Sequence, residues 1–92
     1  MSTAKFALGQ IVATPGALEA MQESGQTPQF FLERHASGDW GQVDSEDWQL
    51  NDEAVKEGTR LLSAYTTLKG RKLWVITEWD RSATTILLPE EY

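Results

Sequence analysis

Along the chain, Phe6, Leu8, Gln10 and Val12 alternate with Ala7, Gly9, Ile11 and Ala13, a period of two that predicts a first strand ending at Thr14. Thr14-Pro15 then signals a helix start, because threonine caps free amides and proline is tolerated at the first helical position. Leu18 and Met21 give that helix an apolar stripe, and Gly25 closes it. Thirteen residues later Thr27-Pro28 repeats the signal for a second helix through Phe30, Phe31, Leu32 and Arg34, stopped at Gly38. Residues 44–50 read as an irregular or single-turn element around Trp48, after which Asn51 caps a third helix ending near Gly58.

The remainder alternates again. Residues 60–68, 72–79 and 83–88 read as three strands joined by turns at Lys69-Gly70 and Asp80-Arg81. The pattern predicts a single α+β domain over residues 1–92, β-α-α-α-β-β-β in order, with a C-terminal three-strand antiparallel meander packed on short helices. In the middle strand Leu73, Val75, Thr77 and Trp79 face one way, and Trp74, Ile76 and Glu78 the other. A sheet apolar on both faces asks for cover on both, which implies a homodimer or a protein partner.

Composition sets bounds on this picture. Ninety-two residues, 40% of them hydrophobic and four of them tryptophan, suffice for one small core and are too few for two domains or for a catalytic domain with its own cofactor fold. Without cysteine there is no disulfide framework or thiolate metal site. Residues 1–30 hold no basic start followed by a long apolar run, so the expected location is cytoplasmic.

The net charge of −6 is concentrated in one segment. Asp39, Asp44, Glu46, Asp47, Asp52, Glu53 and Glu57 stand against Lys56 alone, whereas Arg60, Lys69, Arg71, Lys72 and Arg81 outnumber Glu78 and Asp80. Such a run serves either as a solvated face or as a docking face, whose candidate binding residues are Asp44, Glu46, Asp47, Glu53, Trp48 and Trp74. The acidity disfavours nucleic-acid binding, although Lys69, Arg71 and Lys72 with Trp74 and Tyr65 would make a small basic and aromatic patch.

Residues 34–41 hold the only histidine, with Arg34, His35, Ser37, Asp39 and two glycines close together. As an enzyme the chain would use His35 with Asp39 or Arg34 as a small hydrolase or nuclease, with Ser37 or Ser63 as the nucleophile. As structure, His35 meets the last helix carbonyls, Gly38 is the left-handed stop and Asp39 organises the next turn. One histidine among carboxylates is a poor zinc set, the acidic spacing departs from a calcium loop, and no phosphate loop is present, so no metal or cofactor is expected.

Residues 8–20, residues 34–41, and residues 73–78 with 80–92 resemble a family of small bacterial proteins borne on plasmids and other mobile elements. Its members often carry the label plasmid-related protein or a type I restriction-modification subunit name. Trp79 departs from the small residue expected there. The resemblance implies a mobile-element or phage context and brings no catalytic residues. The expected function is stoichiometric, anti-defence binding to a host or defence protein. The alternatives are the small hydrolase or nuclease and a pocket protein sequestering a small polar ligand.

Overall fold

The computed structural model describes residues 4–92. Its elements follow the predicted order: β1 (Gln10–Ala13), α1 (Pro15–Glu23), α2 (Pro28–Ala36), α3 (Ser45–Glu57), β2 (Leu61–Thr66), β3 (Lys72–Thr77) and β4 (Ala83–Leu87). A short 3-10 turn, Pro89–Glu91, follows. The three C-terminal strands form the antiparallel meander, and β1 joins it in parallel beside β4, giving the order β1-β4-β3-β2.

The two Thr-Pro signals act as read. The Thr14 hydroxyl accepts from the Ala17 amide at 3.2 Å, and the Thr27 hydroxyl from the Phe30 amide at 3.4 Å. Beyond α2, Gly38 takes φ 89° and Gly41 φ 75°, so the chain turns twice within four residues.

The acidic segment departs from its expectation. Residues 45–57 form one continuous helix whose cap is Asp44, with its Oδ1 accepting from the Asp47 amide at 2.8 Å. Asn51 is a buried mid-helix residue and not a cap. Acids in the first turn favour this arrangement, because they face the positive end of the helix dipole. Gly58, at φ 74°, closes the helix with its N–H on the Ala54 carbonyl. The first strand is also shorter than its alternation suggested, since Gly9 takes φ 68° and breaks the extended run ahead of Gln10.

All three helices lie against one face of the sheet. Tyr65, Leu73, Val75 and Ile86 pack on Ala17, Ala20, Met21, Phe31 and Leu32 from α1 and α2. Trp40, Ala54 and Leu61 form a second cluster with Phe6, Val43, Trp48 and Val55. The other face carries Leu62, Trp74, Ile76 and Leu87. Ile76 and Leu87 are buried within the single chain, and the Tyr92 ring packs edge-on against half-buried Trp74 at 5.6 Å. The need to cover those residues therefore does not itself call for a partner. Of the four tryptophans only Trp40 is fully enclosed, and Trp79 lies on the surface, 66% exposed.

The two sheet edges differ. Along β2, the Asn51 carboxamide donates to the Leu62 carbonyl at 2.7 Å and accepts from the Leu62 amide at 3.2 Å. Next to it, the Ala64 amide donates to the Trp40 carbonyl at 3.1 Å and the Gln42 amide to the Ala64 carbonyl at 2.7 Å. A helix side chain and a loop thus occupy the positions a neighbouring strand would take. Along the outer side of β1, no strand lies among the described residues.

Candidate functional site

Residues 34–41 form a closed corner. Arg34 Nε donates to Asp39 Oδ2 at 2.8 Å, while Asp39 Oδ1 accepts from the Gly41 amide at 3.1 Å. These contacts hold the Asp39 carboxyl below its usual range, the Arg34 hydrogen bond contributing most. The Arg34 guanidinium also lies 4.5 Å from the centre of the Tyr65 ring, whose hydroxyl donates to the Asp39 carbonyl at 2.6 Å. Burial raises the Tyr65 phenol above its ordinary pKa, so it stays a donor. Ser37 donates to the Arg34 carbonyl at 2.9 Å and ends α2.

His35 points the other way, into the core. Its Nδ1 lies 2.5 Å from Ser63 Oγ and its Nε2 2.8 Å from Thr77 Oγ1. Thr77 Oγ1 is 2.7 Å from Thr84 Oγ1, which donates to the Leu8 carbonyl at 2.7 Å. The end of this chain sets every proton in it. A carbonyl only accepts, so Thr84 donates to Leu8, Thr77 donates to Thr84, and His35 Nε2–H donates to Thr77. Nδ1 is then bare and accepts from Ser63. The helix-terminal role expected for His35 is thereby corrected: it bonds strand hydroxyls, not the last carbonyls of α2.

The Ser63–His35 contact has the atoms of a nucleophile and base, but both side chains are wholly buried. Burial, and after it the charge of Arg81, lowers the imidazole to a pKa of about 3. Such an imidazole is a weak base, and its second nitrogen faces threonine rather than a carboxylate. Asp39, the carboxylate expected to orient it, is held instead by Arg34 and Gly41. The arrangement ties α2 to three strands and to the segment before β1.

The proposed docking residues fall into two places. Asp44, Glu46, Asp47 and Glu53 are exposed at the cap or on the outer side of α3, while Trp48 packs beneath the same helix. Spacing places Glu46, Leu50, Glu53 and Glu57 in one helical stripe, with Leu50 55% exposed between the acids. A depression of about 260 Å³ runs from Asp47, Leu50 and Asn51 to Val43, Arg60 and Leu62. Trp74 lies beyond it on β3, connected through Tyr92, whose hydroxyl accepts from Arg60 at 2.6 Å. Tyr65, grouped above with Trp74, occupies the opposite face of the sheet. No group of three or more potential metal ligands occurs among the described residues, and no helix there is long and apolar enough to cross a membrane.

The sequence names Asn51 as a cap and Arg81 as a turn residue, but not the role either takes in joining elements. Arg81 takes φ 61° and donates to the carbonyls of Ala54 at 2.9 Å and Thr59 at 2.6 Å, joining the last hairpin to the end of α3. A signal for the His35 partners was present: Ser63 lies between Leu61 and Tyr65 on the inward face of β2, and Thr77 and Thr84 follow on from the inward positions of Val75 and Ile86. Polar groups there need an internal partner. In comparisons with protein-family models, with curated proteins and with solved structures, the chain has no match.

Proposed function

We propose that this protein acts by stoichiometric binding to another protein, through the outer face of α3 and the adjoining depression. The observation that carries the reading is the stripe of Glu46, Leu50, Glu53 and Glu57, acidic with an exposed apolar centre, beside a groove lined by Val43 and Leu62. The inner side of the same helix is committed to the fold through Asn51 and Ala54. A partner with a basic surface around an apolar projection fits this ledge, with the charges steering approach and Leu50 burying area. A target among host or defence proteins follows from the resemblance to mobile-element proteins.

A catalytic reading draws less support. His35 and Ser63 are enclosed, and Arg34 and Asp39 hold each other and the turn. The test is capture from bacterial lysate by the intact protein, alongside a variant carrying Glu46→Lys, Glu53→Lys and Glu57→Lys. Asp44 is left in place because it caps the helix. A partner retained by the wild type and lost by the folded variant supports the proposal. Equal retention by both sinks it, as does hydrolase or nuclease activity abolished by His35→Gln in a folded protein.

A further inference from the structure

The outer edge of β1 is the place where the sheet is left open. β1 pairs with β4 in parallel, Ile11 opposite Thr84 and Ala13 opposite Ile86. Gln10 and Thr14 donate toward β4, to the carbonyls of Ser82 and Ile86. By the alternation of a strand, the N–H and C=O groups of Ile11 and Ala13 then point outward. No backbone partner meets them among the described residues. Natural sheets protect an edge by charge, proline, a bulge or a covering segment. The opposite edge has such cover in Asn51 and residues 40–42, whereas residues 6–14 contain no charge and no proline.

Side chains at this edge are apolar as well. Ile11 is 42% and Val12 43% exposed, on opposite faces of the strand. Beside Ile11 a groove of about 260 Å³ runs between β1 and α2, lined by Leu8, Leu32 and Ala36 with Gln29 and Glu33 at its polar side.

We propose that β1 pairs with β1 of a second copy, antiparallel about a two-fold axis at Ile11, to make one continuous eight-stranded sheet. The edge is self-complementary in that register. Ile11 faces its symmetry mate and exchanges both hydrogen bonds with it, and Ala13 lies opposite Gly9. The two Ile11 side chains meet where the two grooves join, and each Val12 covers the other face. Two copies can meet here without apposing charge, since residues 6–14 are uncharged and the acidic helix that carries most of the net −6 packs at β2, the far edge of the sheet. Gly9 opposite Ala13 leaves room for close approach of the two backbones.

Sedimentation of the full chain over a range of concentrations, with amide exchange measured alongside, tests this. The expected result is a mass that doubles as concentration rises, with the Ile11 and Ala13 amides exchanging more slowly in the dimer. Ile11→Lys should return the mass to that of a monomer while circular dichroism stays unchanged. Should that variant fail to fold, the wild-type amides still decide. A chain monomeric at every concentration overturns the proposal. So does a dimer in which those two amides exchange freely, or an edge protected only when an extended segment of another protein is added.

Discussion

At the scale of single residues, Gly41 and His35 bear the strictest demands. Gly41 combines φ 75° with a position where a methyl group would run into the Ala64 carbonyl and lie 2.6 Å from the Tyr65 ring. Gly25 has nearly the same φ, 68°, but nothing around it. Gly25→Ala should therefore cost about 1 kcal/mol from conformation alone, and Gly41→Ala roughly 2–3 kcal/mol or more, since strain and collision add. Urea unfolding of the two variants reads the difference; equal midpoints would mean that the corner yields freely. His35 makes a second expectation. Its folded pKa, about 3, lies below its ordinary 6.5, so the unfolded chain takes up the proton first as pH falls. Its contribution is fully present above pH 6.5 and is lost progressively toward pH 3, at up to roughly 1.4 kcal/mol per unit. Melting temperature should fall between pH 6.5 and 5, where carboxylates titrate little, and it should fall less steeply in His35→Gln. The mutant should also begin less stable, because Ser63 and Thr77 lose their partner.

At the scale of elements, α3 shows what the sequence could and could not convey. Thr14-Pro15 and Thr27-Pro28 were legible because a cap and a fixed φ act within one turn. Asn51 was not, since asparagine suits a helix cap and a buried carboxamide equally well, and only its distant partner decides. That partner, Leu62, lies eleven residues on. The spacing of Trp48, Asn51, Ala54 and Val55 does mark one helical face, but a polar residue in its middle hides the stripe. His35 was equally conspicuous and equally opaque, its partners lying 28 and 42 residues away. The role of Asn51 has a direct check. Asn51→Ala should destabilise by roughly 1–3 kcal/mol and speed exchange of the Leu62 amide, because both edge groups lose their bond. Asn51→Asp keeps an acceptor for the amide but sets a carboxylate against the Leu62 carbonyl, so it should be no better than alanine. Thermal melts with amide exchange measure both; an unchanged Leu62 amide in Asn51→Ala would show the edge to be held by residues 40–42 alone.

At the scale of the whole molecule, the strand order β1-β4-β3-β2 separates the two surfaces. The uncharged edge is β1, and the acidic helix packs at β2, the far side of the sheet. In a dimer joined through β1, the two β2 strands are seven strand spacings apart, roughly 34 Å at about 4.8 Å each. That distance is several times the screening length of about 8 Å at physiological ionic strength, so the two acidic faces barely sense one another. Self-association and partner binding should then respond differently to salt. The dimer, held by backbone bonds and apolar contact, should keep its dissociation constant within about twofold as salt rises through the physiological range, whereas association with a basic partner should slow severalfold. Each dimer should bind two partners independently, without either altering the other's affinity. Sedimentation and stopped-flow association across a salt series separate the cases. Dimerisation that strengthens markedly with salt would place acidic segments against each other at the interface, and partner association indifferent to salt would assign α3 to solvation and leave Leu50 and the groove as the contact.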